Sequence, residues 1–401
     1  MSDQSATPTA PPKTSLVQPV SAGLLAAVVG YASSVPIVLA GFAAVAASPP
    51  EAASGLLVIS LVMGVIGIGL SLRTRMPVTV AWSTPGAVLF VATGAPDGGF
   101  PVAVGAFIVA AVLIVVAGIW RSFGRAVAAI PAPLASAMLA GILLGLCLAP
   151  VRAVAALPLL ALPIVVVWAL SLRFARAYAV LIAVVVTAIM VGVGTELPPT
   201  VLAADWPAPV FIAPVFTLSA AVSLAIPLFI VTMASQNIPG LAVMTANGYR
   251  PDPGPIFVAT GAGSILTAFF GGHSLNLAAI TAAFCAGPEA GPDPARRWIA
   301  SVACGVAYVG LAFTASFATA FVAASPPLLI EAVAGLALLG TLATALSSSL
   351  AVDNDRLPAI VTFVATASGV TFFGIGAAFW GLVAGGALMA VLRLRSDGYR
   401  G

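Results

Sequence analysis

Two short stretches carry the side chains best suited to hold a small charged solute inside an otherwise apolar chain. In Trp82-Ser83-Thr84-Pro85-Gly86 a helix-start signal interrupts an apolar run: threonine at an N-cap accepts a free backbone N–H, and proline after it has none to leave unpaired. Farther on, Ser274-Leu275-Asn276-Leu277 alternates polar and apolar residues as an extended segment does, and Ala278 to Phe284 follows as a helix closed by Gly287-Pro288. A helix starting in mid-membrane exposes unpaired N–H groups and a partial positive charge of about half a unit, which attracts an anion. Ser83, Thr84 and Gly86 on one side and Asn276, Ala278 and Ala279 on the other are therefore expected to hold an anionic group, since neither segment offers an Arg or Lys. Ser33 and Ser34, with Gln236 and Asn237 ahead of Pro239, supply polar side chains from two further apolar runs. Tyr31, Trp82, Phe229 and Phe270 are close enough in sequence to wall a flat apolar ligand. Two groups suit proton exchange: Glu331, the only acid clearly inside an apolar run, and His273, the sole histidine, expected at the outer mouth of its span.

The elements that position these residues follow from composition. Of 401 residues 61% are hydrophobic and 7% charged, against about 25% charged in ordinary globular proteins, which excludes a soluble fold. Cutting at charged and Pro/Gly-rich clusters gives an all-α membrane protein of about 14 spans, near 18–47, 52–72, 77–94, 99–120, 131–150, 154–172, 177–195, 213–246, 253–271, 273–287, 296–322, 327–350, 357–373 and 375–393. With both termini inside, fourteen of the 15 basic residues fall on the cytoplasmic side and only Arg152 outside, as the positive-inside rule requires. Residues 1–15 read as a disordered tail. An acidic, proline-rich periplasmic linker over 196–212 separates seven spans (16–195) from seven (213–395), and an odd number per half makes the repeat inverted. Ser33-Ser34-Val35-Pro36 echoes Gln236-Asn237-Ile238-Pro239 in the first span of each half. Spans 3 and 10 each read as a short extended segment plus a half-helix; from Thr84 to Thr93 that helix would run about 15 Å, half the hydrocarbon thickness. Cys147, Cys285 and Cys304 have no metal-ligand spacing. With no catalytic triad and no phosphate loop either, an enzyme, a metal, a cofactor and a nucleic-acid partner are not expected.

Ser235-Gln236-Asn237-Ile238-Pro239-Gly240, Ala246-Asn247-Gly248-Tyr249, Gly271-Gly272-His273-Ser274-Leu275-Asn276-Leu277-Ala278-Ala279-Ile280-Thr281 and Asp293-Pro294-Ala295-Arg296-Arg297 together resemble the BenE-type benzoate/proton symporter family. The resemblance is densest over about 233–300. It implies a bacterial inner-membrane carrier importing benzoate with a proton by alternating access, and kinship with nucleobase/ascorbate and sulfate-type carriers. That kinship implies a core domain (16–120 with 213–323), a gate domain (121–195 with 324–395), and a homodimer through the gates. Span 8 carries Gln236 and Asn237 where nucleobase carriers use a carboxylate, which leaves the proton carrier unassigned. A carrier of another anion or of a nucleobase on the same fold, or an anion channel, remains the alternative reading.

Overall fold

A computed structural model describes residues 16–120, 122, 131–195, 198, 201, 205–279, 281–373 and 375–397; the expected tail and much of the linker lie outside them. In the first half the helices are α1 (Val17–Ala44), α2 (Pro49–Thr74), α3 (Thr84–Thr93), α4 (Phe100–Ile119), α5 (Ala132–Cys147), α6 (Ala149–Ala156), α7 (Pro158–Phe174) and α8 (Ala179–Gly194), with strand β1 (Val80–Trp82) ahead of α3. Local chemistry sets the boundaries. Glu51 accepts from the Ser48 N–H at 2.8 Å in the capping box that opens α2, and Gly94 at φ 75° ends α3 where a side chain would be strained. The second half holds α9 (Leu218–Ala246), α10 (Pro253–Ala268), β2 (Leu275–Leu277), α11 (Thr281–Ala286), α12 (Trp298–Ala312), α13 (Ala315–Ala324), α14 (Pro327–Ser349), α15 (Arg356–Ala367) and α16 (Ala377–Asp397).

Six of these segments are long and apolar enough to cross a membrane among the described residues, counting α5 and α6 as one. The span expected over 296–322 is instead two helices bent by 61°. The bend falls where Phe313 and Thr314 bond back to Gly310 and Leu311, tightening the last turn of α12, and where the Thr314 hydroxyl meets that of Tyr31 at 3.0 Å. The rest of the expected crossings are shorter helices, α16 with its apolar part over Ala377–Arg393, or the broken pieces around β1 and β2. Pro36 sits inside an uninterrupted α1, and in α9 a π-helical stretch lies just ahead of each proline, Ala221–Ala225 before Pro227 and Met233–Asn237 before Pro239.

Helix pairs α4 with α10 and α2 with α12 form the most extensive contacts, and glycine lets them approach. A Cβ on Gly64 would fall 2.6 Å from the Gly305 carbonyl oxygen, and one on Gly118 would fall 2.8 Å from that of Gly254. Gly64→Leu is expected to destabilise the protein by about 1–3 kcal/mol through overpacking, seen as a lower thermal midpoint in detergent; an unchanged midpoint would refute the close crossing. Most buried apolar side chains form one cluster that runs from α1 to α5 and from α9 to α14 and reaches Ala378 of α16. A second joins Ala161 and Ile164 of α7, Ala183 and Val191 of α8, and Leu329, Val333 and Leu336 of α14.

Candidate functional site

The two extended segments, 195 positions apart in the chain, are hydrogen-bonded to each other. Val80 pairs with Leu277, Ala81 with Asn276 and Trp82 with Leu275 in an antiparallel ribbon. Ser83 N–H to the Ser274 carbonyl and Ala278 N–H to that of Thr79, both 2.9 Å, extend it at each end. Extended backbone this deep must find partners inside the protein. Its outer edges are closed by side chains: Ser264 Oγ accepts from Leu275 N–H at 2.7 Å, Asn237 Oδ1 accepts from Leu277 N–H at 2.9 Å, and Ser71 Oγ donates to the Val78 carbonyl at 3.1 Å. Asn276, fully buried, meets both its needs when its oxygen faces the Ser83 N–H at 3.0 Å and its nitrogen the Leu277 carbonyl at 2.8 Å. Because the strands are antiparallel, α3 and α11 leave the ribbon from opposite ends.

The helix starts differ from expectation in detail. Ser83, not Thr84, is the N-cap of α3. Its Oγ accepts from Gly86 N–H at 3.2 Å and lies 2.9 Å from the hydroxyl of Thr232 on α9. The Gly86 N–H expected to face an anion is therefore bonded within the protein, and so is that of Ala278. Thr84 begins the helix, half-buried, and its hydroxyl has no partner among the described residues. On the other side α11 is described over Thr281–Ala286, later than expected, because Ala278 is held by the ribbon and Ala279 sits in a bend, half-buried.

Gln236 and Asn237 share a π-helical stretch, a feature frequent at functional sites, and divide their tasks. Asn237 is sealed, its oxygen on Leu277 and its nitrogen on the Met233 sulfur at 3.2 Å. Gln236 is half-buried with no hydrogen-bond partner among the described residues. On α1, Ser33 is half-buried and donates to the Gly30 carbonyl at 3.2 Å, whereas buried Ser34 accepts from the Trp82 indole N–H at 2.9 Å. The Trp82 ring lies between Tyr31 at 5.8 Å and Tyr308 at 5.9 Å. Phe229 is buried on α9, and Phe270 packs instead against Phe211 at 6.3 Å. Ser33, Thr84, Gln236 and Ala279 are thus the expected residues that remain partly open around the ribbon.

Of the two expected proton-exchange groups, one lies at the ribbon and the other away from it. His273 is fully buried rather than at an outer mouth; its Nε2–H donates to the Ser83 carbonyl at 3.0 Å, and Phe90, Phe42 and Phe107 surround the ring at 5.4, 5.6 and 6.4 Å. Its Nδ1 has no partner among the described residues. Glu331 is half-buried on α14, beside Leu329, Ala332 and Val333, which pack with α7 and α8 and not with the ribbon.

Several residues at the site gave no sequence signal. Thr232, Ser264, Tyr308 and Ser301, whose hydroxyl lies 2.9 Å from that of Thr79, look like ordinary small or aromatic residues of apolar helices. Arg297, expected on the cytoplasmic side, is 7% exposed and donates to the Ala286 and Gly291 carbonyls, both at 2.8 Å, closing the C-terminal end of α11. Nearby, Tyr249 donates to the Pro294 carbonyl at 2.7 Å; burial raises its phenol, with Arg297 pulling the other way.

Comparison with known proteins bears on the whole chain. The family model described as "BenE: Benzoate membrane transport protein" matches residues 13–391. The chain is 40% identical over 376 residues to the inner membrane protein YdcO of Escherichia coli, covering 94% of this chain and 96% of that one. It is 36% identical over 368 residues to the benzoate membrane transport protein of Acinetobacter baylyi, covering 91% and 92%. Among solved structures it resembles the transmembrane domain of the cyanobacterial bicarbonate transporter BicA, with TM-score 0.59, 16% identity, and 92% and 97% of the two chains covered. It also resembles the murine anion transporter Slc26a9, with TM-score 0.65, 14% identity, and 97% and 70% covered. At these identities the structural likeness speaks for the fold alone.

Proposed function

The chain belongs to the BenE family and is a membrane transporter rather than an enzyme; from that premise we propose that it imports benzoate together with a proton. The observation that carries the reading is the pair Thr84 and Gln236. Each is a partly open polar side chain with no hydrogen-bond partner among the described residues, next to a fully bonded neighbour, Ser83 in one case and Asn237 in the other. The benzoate carboxylate binds at the start of α3 between these two side chains, without a fixed basic residue, and Ser33 and Ala279 line the same opening. The flat ring fits the apolar surround of α1 and α9.

The architecture under this reading is a seven-plus-seven inverted repeat. In support, exchanging the halves turns the α4–α10 contact into α2–α12, α7–α8 into α15–α16, and the ribbon into itself about the Ala81–Asn276 pair. Helices α5 to α8 with α14 to α16 form the gate, and the rest of the chain forms a core that carries the anion past it as a rigid body. Both termini face the cytoplasm of a bacterial inner membrane, and two copies pair through their gates.

Importing an anion alone works against a negative-inside potential by about 2.3 kcal/mol per 100 mV, and one cotransported proton removes that opposition. Glu331 carries the proton at the gate, while His273 holds the Ser83 carbonyl. Uptake is expected to rise as the outside pH falls and to collapse with an uncoupler; proteoliposomes that take up benzoate regardless of an imposed pH gradient would rule out symport.

A further inference from the structure

The line along which α2 and α12 meet is exposed on one side, and two arginines stand at its end. The helices run antiparallel: Gly64 meets Gly305 and Val309, Gly305 meets Ile68, and farther along the Arg75 guanidinium lies over the Trp298 ring, 4.4 Å from its centre. In antiparallel right-handed helices the residue following each contact position turns toward the same side of the pair. Val65 and Gly69 of α2 and Val306 of α12 stand on that side, all exposed, and Arg73 follows one turn after Gly69. Two residues here have no explanation in the packing of the protein. Gly69 lies in the interior of α2, where alanine is the better helix former, yet a Cβ there would meet nothing within 4 Å. Its effect is a notch in the surface that faces lipid. Arg75 ends α2 in the left-handed conformation that favours glycine, at φ 54°, yet carries a long cationic side chain. Arg73 and Arg75 are both exposed, and neither forms an ion pair among the described residues.

The dimensions select the occupant. From the Gly64 crossing to Arg75 the chain rises about 16 Å at about 1.5 Å per residue, which matches about 15 Å of hydrocarbon in one leaflet. An apolar strip one leaflet deep, notched at Gly69 and ending in two guanidiniums and an indole, has the length and the charge of a single phospholipid whose headgroup is anionic. We propose that the exposed side of the α2–α12 contact is a binding site for an anionic phospholipid, its phosphodiester held by Arg73 and Arg75 and an acyl chain lying over Gly69 between Val65 and Val306. The site lies apart from the ribbon and does not depend on which solute the carrier moves.

The test is the thermal midpoint of the full chain purified in detergent and titrated with phosphatidylglycerol, phosphatidylcholine or inorganic phosphate, since a ligand that binds the folded state raises the midpoint. A basic side chain beside an anionic headgroup strengthens binding about fivefold, so the half-maximal shift is expected at roughly twentyfold lower phosphatidylglycerol than phosphatidylcholine. Phosphate alone is expected to leave the midpoint where it is. The double variant Arg73→Gln with Arg75→Gln is expected to bring the two lipids to the same half-maximal concentration. Gly69→Leu, which fills the notch and touches no described side chain, is expected to keep the lipid-free midpoint and to weaken phosphatidylglycerol binding. Equal response of the wild-type chain to both lipids overturns the proposal, and a shift with phosphate as large as with phosphatidylglycerol overturns it in favour of a free-anion site. A double variant whose lipid-free midpoint falls while its preference for phosphatidylglycerol persists overturns it too, leaving the arginines as a brace between α2 and α12.

Discussion

Thr84→Val is expected to weaken benzoate binding by roughly tenfold to a hundredfold while leaving the amount of folded carrier in the membrane unchanged. The substitution keeps the shape of the side chain and removes only its hydroxyl. Among the described residues that hydroxyl bonds nothing, and the capping of α3 belongs to Ser83, so stability has no evident reason to fall. A hydrogen bond to a charged carboxylate is worth about 1.5–3 kcal/mol, which sets the size of the effect. The measurement is binding of labelled benzoate to purified protein, alongside its thermal midpoint. Unaltered affinity would remove Thr84 from the site; lost affinity with a lowered midpoint would make it a structural residue.

The neighbours Gln236 and Asn237 are expected to separate in the same experiment. Asn237→Leu leaves the Leu277 N–H without its acceptor in a sealed position, costing about 1–3 kcal/mol, so the thermal midpoint should drop and transport should fail with it. Gln236→Leu breaks no bond within the described residues, so the midpoint should hold while affinity falls about tenfold or more. Equal losses of stability in the two variants would contradict the division seen along this π-helical stretch.

The contrast shows where sequence reasoning reaches and where it stops. Period-two alternation at Ser274 to Leu277 and the Thr-Pro-Gly step at 84–86 placed both breaks, because strand and helix-start chemistry act over a few neighbouring residues. Which of the polar residues there would be left free could not be read, because that depends on partners far along the chain. Ser83 and Ala278 are bonded to positions 274 and 79, and Asn237 to Leu277. His273 is the sharpest case. Its residue type suggested exchange with water, and only the three phenyl rings around it, from α1, α3 and α4, show that it is enclosed. The bend in α12–α13 was likewise invisible, since Phe313-Thr314 carries neither proline nor glycine.

The ribbon also has a consequence for how the chain is made. His273 and Ser83, bonded across its end, are 190 residues apart, so at about 5–20 residues per second the first strand is synthesised roughly 10–40 s before its partner exists. Through that interval its edge has no mate, and lipid offers none. The nascent first half must therefore wait in a sheltered, water-accessible or machinery-bound state, and the carrier's interior can close only after the second half has been inserted.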